Sequence, residues 1–353
     1  MTLPPPDFRL AHPRDVEAAV ALRGGEPSSR FLAGGTDLVV NLRRGLDAPA
    51  LLIDLSAIDE LRELAVTERG LRIGACTSLA ALADMPEIRR RYRAVAEAIA
   101  TINGPGPRAL ATVGGNLCLD TRCIYYNQSE WWRAANGYCL KYRGDICHVA
   151  PQGRHCHAAF SGDLAPALMI FDAAVEVAGS AGRRSLPLAE LYAEDGSGHL
   201  KLGASEFVVA VQLPPDPPSS MYAKARTRGA IDFPLAGVAV ALAAEDGRIV
   251  ALRVGLTGTN SRPFLLEGTD AFIGRALDEA ALAQLDQLVQ KQVQPMRTTI
   301  APAHYRRLVV AALARRLAAD LFSHPAPRHE PRHPAGRFDQ DQRAVPIEGI
   351  AYR

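Results

Sequence analysis

Five of the six cysteines, Cys118, Cys123, Cys139, Cys147 and Cys156, fall within one short region, and Cys76 alone lies outside it. Their neighbours Asp120, Arg122, Asn127, Gln128, Lys141, Arg143, Asp145 and His148 are polar, unlike the surroundings of a cysteine in a core strand. Four thiolates in such a setting are the donor set of a zinc ion or an iron–sulfur cluster. Structural zinc sites usually contain close pairs of the C-x2-C type. Here 15, 7 and 8 residues separate Cys123, Cys139, Cys147 and Cys156, a spacing that suits a loop wrapped around something larger than one ion. Buried free thiols are the plainer alternative. Cys76 and Cys118 are read as structural. His148, His155 and His157 flank the last two cysteines, but a nucleophilic Cys–His pair would use one cysteine and leave the rest unexplained. Trp131, Trp132, Tyr125 and Tyr126 are expected to shield such a site from solvent.

Two glycine loops bear on the same question. Ala33-Gly34-Gly35-Thr36-Asp37 follows a strand at 30–33 and precedes a helix at 38–44, after which 50–55 reads as an apolar strand. That order makes a small parallel β-α-β unit. Paired glycines let the backbone approach an anion closely, and successive N–H groups can cradle phosphate oxygens. A plain tight turn is the alternative for one such loop. The second, Thr112-Val113-Gly114-Gly115-Asn116, opens the cysteine region, and two loops of this kind point to a large diphosphate cofactor.

The remaining elements must position these loops. Pro13 to Leu22 reads as a short helix stopped by Gly24-Gly25. A strand at 71–75 leads to a helix capped by Thr77 or Ser78. Ile88, Tyr92, Val95 and Ile99 then share one face of a longer helix, with an arginine run on a solvated or subunit-facing side. Ile102 to Pro107 reads as a break. Strands are expected at 168–177 and 207–211, and Pro214 to Pro218 as a linker. Beyond it come strands at 222–226, 237–244 and 249–256 and helices at 278–293 and 304–321. The last helix carries an apolar stripe of Tyr305, Leu308, Val309, Leu313 and Leu317, with Arg306, Arg307, Arg315 and Arg316 off it. From Ser323 the composition turns to Pro, His, Arg and Gln, the mark of an extended or disordered tail.

With 353 residues, 48% of them hydrophobic, the chain has material for two or three packed units. A net charge of +2 and the lack of a basic, aromatic-interleaved stretch exclude nucleic acid as an expected partner. No apolar run reaches the roughly 18–20 residues of a membrane span. The N-terminus lacks the pattern of a signal peptide, so a cytoplasmic protein with reduced thiols is expected.

The loops at 33–37 and 112–116, together with Ser161-Gly162-Asp163-Leu164-Ala165-Pro166, resemble the flavin-binding motifs of the medium subunit of molybdenum hydroxylases, the xanthine dehydrogenase and carbon monoxide dehydrogenase family. The resemblance covers about residues 5 to 322. It includes Lys224, Arg226, Arg228, Asp232-Phe233-Pro234 and the Tyr305-Arg306-Arg307 helix. It implies an α+β fold: residues 1–56 and 57–214 as two subdomains around FAD, the first a small parallel βαβ unit and the second a mixed or antiparallel sheet unit. A sheet-plus-helices domain at 219–322 and a tail at 323–353 follow. Gly34, Gly35, Thr36, Gly114, Gly115 and Asn116 would grip the diphosphate, with Ala33, Asp37 and Thr112 beside them. Asp163 and Lys224 would reach the ribityl or ring end.

Most members pass quickly from the second loop to the Asp-Leu-Ala-Pro motif. The insert at about 117–160 resembles that of the β subunit of 4-hydroxybenzoyl-CoA reductases, which holds a [4Fe–4S] cluster. The likeness runs through Cys118 to Cys123, Tyr125-Tyr126, Gln128-Ser129-Glu130 and Cys147 to Gly153. It implies Cys123, Cys139, Cys147 and Cys156 as ligands, and not Cys118. It also implies partners: a small subunit with two [2Fe–2S] clusters and a large subunit with the molybdopterin cofactor and the substrate site, in an (αβγ)2 assembly. Electrons would enter from a low-potential donor such as ferredoxin, and no catalytic acid or base belongs on this chain. The same subunit in a hydroxylating enzyme and a zinc-stabilised assembly module are the two alternatives.

Overall fold

The structure is a computed structural model in which residues 6–297 and 301–324 are described. The first unit runs β1 (Arg9–Ala11), α1 (Val16–Gly25), β2 (Ser29–Leu32), α2 (Leu38–Arg43) and β3 (Leu51–Asp54). Its sheet has the order β1-β3-β2, and both pairings are parallel. The Asp15 carboxylate caps α1 by accepting from Ala18 N at 2.7 Å. Gly35 ends the strand-to-helix turn at φ +69°, a left-handed conformation that glycine adopts without steric cost.

The second unit contains β4 (Leu64–Thr67), β5 (Gly70–Gly74), α3 (Leu79–Asp84), α4 (Pro86–Arg91), α5 (Arg93–Thr101), α6 (Pro105–Leu110) and α7 (Val113–Leu117). After these come α8 (Glu130–Ala135) within the insert, then α9 (Leu164–Met169), β6 (Ala174–Gly179), β7 (Gly182–Pro187) and β8 (Phe207–Leu213). The sheet order is β4-β5-β8-β6-β7, antiparallel throughout. Its core takes Leu71, Ile73, Val175, Val177 and Val211 from the sheet and Val95, Ile99, Leu164 and Leu168 from the helices.

The third unit has β9 (Ser219–Ala225), β10 (Ala236–Glu245), β11 (Arg248–Thr257), β12 (Phe264–Leu265), α10 (Glu279–Gln292) and α11 (Ala303–Ser323). The run from Ala236 to Leu242 is buried on both faces. Val238, Val240 and Leu242 meet α10 and α11 in one core, whereas Ala239 and Ala241 join the core of the second unit. The period of two in a strand thus welds the two units through one ribbon. The α+β class and the order of parallel unit, antiparallel sheet unit and sheet-plus-helices unit agree with the sequence reading.

Four local expectations are corrected. The long helix through Ile88 and Ile99 is two helices, because Tyr92 leaves helical geometry at φ −117° and ψ 55°. Its buried ring lets the hydroxyl donate to the Pro214 carbonyl, while Ile88, Val95 and Ile99 stay on the buried face. Residues 105–107, read as part of a break, open α6, with Pro105 where its missing N–H costs nothing. The expected strand at 168–177 begins as the wholly buried helix α9. A short apolar run buried on every side shows no period that separates helix from strand.

The stripe on α11 is rotated from the expected one. Tyr305 and Leu308 are exposed, whereas Arg306 is only 2% exposed. Arg306 is tolerated there because its guanidinium donates to the carbonyls of Leu235 at 2.9 Å, Met296 at 2.6 Å and Gly258. The tail expected from 323 lies, from residue 325, outside the described residues. None of the described helices is long and apolar enough to cross a membrane.

Candidate functional site

The three motif loops meet. A Cβ on Gly34 would come within 1.8 Å of the Leu110 carbonyl oxygen and 3.2 Å of Ala111 Cα, so the first loop lies directly on the residues that precede Thr112. Only a residue without a side chain permits that approach. Thr112 caps α7, its hydroxyl accepting from Gly115 N at 3.1 Å. Gly114 N donates to the Ala75 carbonyl at 2.7 Å, and a Cβ on Gly114 would sit 2.8 Å from the Ala75 side chain. Asn116 then joins the third motif: its Oδ1 accepts from Leu164 N at 3.1 Å. Gly34 of the first loop thus adjoins the residues that lead into the second, and Asn116 of the second adjoins the third motif. The loops open α2 and α7; at α7 the first N–H groups are satisfied within the protein, Val113 N by the Thr77 carbonyl at 3.0 Å, Gly114 N by Ala75 and Gly115 N by the Thr112 hydroxyl, which fixes the backbone of the second loop. The Thr77 hydroxyl, next to this region, is buried without a hydrogen-bond partner.

Asp163 and Lys224 come together as a buried pair. Lys224 Nζ lies 2.9 Å from Asp163 Oδ2, with side chains 1% and 5% exposed respectively. The Tyr222 hydroxyl donates to Asp163 Oδ1 at 2.5 Å, and Lys224 also donates to the Thr101 carbonyl at 3.2 Å. Burial pushes the Asp163 carboxyl up, opposed by the Lys224 charge and by the hydrogen bonds it accepts. Tyr222 is a member of this triad that the sequence reading did not single out. Its place two residues before Lys224 on β9, on the same strand face, was the available signal.

Cys123, Cys139, Cys147 and Cys156 line one cavity, together with Tyr125, Tyr126, Leu140, Lys141, His148, Val149 and Ala158. No carboxylate is among these lining residues. All six cysteines are free. The neck of the insert is a two-residue antiparallel bridge in which Arg122 and Ala159 exchange N–H···O bonds of 2.8 Å. Cys123 follows it on one side and Cys156 precedes it on the other. The turn at 139–144 closes on Cys139 through Tyr142 N and Gly144 N, with Arg143 at φ +59°. Backbone N–H groups face the sulfurs: Ala158 N donates to Cys156 Sγ at 3.3 Å, and those of Tyr125 and Tyr126 favour a Cys123 thiolate. Burial still pushes the Cys156 thiol up to about 12 and raises Cys123 as well. The other thiols of the cavity act in the same direction. Among the described residues no three His, Cys, Asp or Glu side chains group tightly enough for a single ion, so the thiols face a shared space rather than one point.

Cys118 packs against the core of the second unit and Cys76 against that of the first, and neither lines the cavity. Burial raises both thiols to about 12. Tyr125 and Tyr126 line the cavity and Trp132 stacks near Tyr125 at 6.1 Å. Trp131 does not shield it: on the outer face of α8 it is 78% exposed. His148 lines the cavity with Nε2 2.5 Å from the Tyr138 carbonyl oxygen, while His155 and His157 pair with each other at 4.4 Å between rings.

The insert is fastened to the first loop. Arg122 pairs with Asp37 and donates to Asn41 Oδ1 at 3.3 Å, with its guanidinium 4.8 Å from the centre of the Phe233 ring. Burial lowers its pKa to about 10. Arg133 of α8, 1% exposed, donates to the Gly45 carbonyl at 3.0 Å. These two arginines were not expected as site residues; a charge directly before a cysteine was the signal for Arg122. A wide groove elsewhere, lined by Thr67, Arg69, Arg72, Glu176, Arg183 and Arg184 of the five-stranded sheet, contains none of the expected site residues.

Glycine loops thus abut across two subdomains, and a buried Lys–Asp pair joins them to a third unit. Residues 6–216 match the FAD binding domain in molybdopterin dehydrogenase, and residues 220–321 match the CO dehydrogenase flavoprotein C-terminal domain. The aldehyde oxidoreductase FAD-binding subunit PaoB of Escherichia coli is 32% identical over 82% of this chain and 91% of its own length. The carbon monoxide dehydrogenase medium chain of Afipia carboxidovorans is 27% identical over 88% of this chain and 96% of its own. The solved CO dehydrogenase from Oligotropha carboxidovorans shares the fold at a TM-score of 0.75 and 24% identity, over 91% of this chain and 99% of that one. The chain belongs to this family: it is an FAD-binding medium subunit of the xanthine dehydrogenase and CO dehydrogenase type.

Proposed function

We propose that this chain is the FAD- and [4Fe–4S]-containing electron-transfer subunit of a molybdenum enzyme. The observation that carries the proposal is the meeting of Cys123, Cys139, Cys147 and Cys156 in one cavity, although long stretches of sequence separate them. A donor set of four thiols with backbone N–H groups aimed at the sulfurs fits an iron–sulfur cluster. When bound, a flavin exchanges one or two electrons and a cluster exchanges one, so the pair links carriers of both kinds.

Ala33, Gly34, Gly35, Thr36 and Asp37 would hold one side of the FAD diphosphate, and Thr112, Gly114, Gly115 and Asn116 the other. The approach of Gly34 to Leu110, which leaves no room for a Cβ and brings the two loops side by side, supports this assignment. Asp163 and Lys224 satisfy each other. Their role toward the ribityl or ring end is to present a fixed, buried, polar floor rather than two free charges. Substrate chemistry falls to a large molybdopterin subunit, and a small subunit with two [2Fe–2S] clusters connects it to this one, in an (αβγ)2 assembly.

For the reaction we propose reductive dehydroxylation of 4-hydroxybenzoyl-CoA, with electrons from a low-potential ferredoxin. The likeness of the insert supports this reading. A second reading is oxidation of an aldehyde with electrons leaving through this subunit, which the 32% identity to the aldehyde oxidoreductase subunit favours. The intact complex, given 4-hydroxybenzoyl-CoA and a reduced low-potential donor, should form benzoyl-CoA. No turnover of the thioester, together with aldehyde oxidation by an artificial acceptor, would overturn the first reading in favour of the second.

A further inference from the structure

Lys141 is the lysine that lines the cysteine cavity. Its side chain is 6% exposed, an uncommon position for an ammonium, which carries a large hydration energy. The ammonium is held from several sides. It donates to Asp120 Oδ1 at 2.6 Å, to the Gly196 carbonyl at 3.0 Å, to the Thr121 carbonyl at 3.4 Å and to the Thr121 hydroxyl. The ring of Tyr126 lies 4.6 Å from it, the geometry of a cation–π contact. With more acceptors than its three protons, Lys141 is a fixed charge and not a mobile surface cation. Asp120, its one carboxylate partner, is 31% exposed and outside the cavity lining, so water screens that anion more than it screens the lysine.

We infer that Lys141 sets the reduction potential of the cluster held by Cys123, Cys139, Cys147 and Cys156; the inference rests on the cluster reading above. One electron arriving from a one-electron reductant adds one negative charge inside the ring of thiolates. No bond forms or breaks and no proton is taken up. A fixed buried cation lowers the energy of the more negative state more than that of the less negative one, because Coulomb energy scales with the product of charges and is poorly screened there. Lys141 therefore favours the reduced state, and Asp120 partly offsets it.

The test uses the purified intact complex, titrated with dithionite, with the reduced-state EPR signal read against potential and iron and sulfide measured in parallel. Lys141→Met should keep the iron and lower the reduced-to-oxidised ratio at a given potential about tenfold, which is 59 mV more negative for a one-electron couple. Lys141→Arg should stay near the parent, and the flavin midpoint should not move. Asp120→Asn should shift the cluster in the opposite direction. Full iron with an unchanged midpoint in Lys141→Met would overturn the inference. If Lys141→Met loses its iron, Asp120→Asn decides: an unchanged or lowered midpoint refutes the electrostatic role. A parent complex without iron or sulfide would instead remove the cluster reading itself.

Discussion

Arg122, the residue before Cys123, forms an ion pair with Asp37, the last residue of the first glycine loop. One side chain thus ties the neck of the cysteine insert to the loop proposed to hold the FAD diphosphate. Asn41 and the face of Phe233 complete its surroundings, so segments from all three units converge on it. Replacing it should be felt at both sites. Arg122→Ala is expected to weaken FAD binding on the order of tenfold, about 1.4 kcal/mol, because Asp37 and Asn41 lose their donor. Fluorescence titration of the FAD-depleted complex measures this, and an unaltered affinity would refute the tie.

Gly34 gives a sharper steric test. Its Cβ position lies 1.8 Å from a backbone oxygen, which cannot rotate away as a side chain can. Gly34→Ala must therefore push the first loop off Leu110. The expected result is a complex purified with most of its flavin missing, measured as the FAD released by acid from a known amount of protein. By contrast Gly24→Ala, where a Cβ meets nothing within 4 Å, should retain it.

The Asp163–Lys224 pair predicts a large stability effect. Both side chains are buried, so Asp163→Asn leaves an uncompensated ammonium, at a cost of about 3–5 kcal/mol. Asp163→Asn combined with Lys224→Met should recover much of that loss, because the double change leaves no buried charge. Urea unfolding of the four members of this cycle would show a coupling energy near zero if the pair were incidental.

His199 predicts how acid acts on the fold. Burial lowers its pKa from 6.5 to about 4, and it is 7% exposed. The unfolded chain takes up a proton as pH falls below about 6.5, whereas the folded chain holds the neutral ring until about 4. The unfolded state thus binds more protons across that window, and stability present above pH 6.5 is lost as pH drops toward 4. The loss is on the order of 3 kcal/mol. His199→Leu should flatten the thermal-stability profile between pH 6.5 and 4; an unchanged slope would assign the acid response to other groups.

Much of this arrangement is legible in the residues. The glycine loops, the first parallel unit and the β10–β11 hairpin follow from turn chemistry and apolar runs, and the structure has them. What local pattern misses is settled by contacts far away in sequence. Tyr92 breaks a helix because Pro214 offers its carbonyl. Arg306 sits inside because three loop carbonyls converge on it. In α9 burial on every side erases the period that would identify a helix. The cysteines are the extreme case. Their spacing marks them as unusual, but only the fold of the insert brings them to one cavity, and the expected ligand set came from resemblance. Arg122 and Lys141, visible merely as charges beside cysteines, acquire roles once their partners are known.

The most direct test of this account is the iron, acid-labile sulfide and reduced-state EPR of the complex purified without oxygen. About four irons beyond those of the small subunit, and an EPR signal lost in Cys139→Ala yet kept in Cys118→Ala, are predicted, since Cys139 lines the cavity and Cys118 packs against a hydrophobic core outside it. Zinc in place of that iron, or a signal indifferent to Cys139, would contradict it.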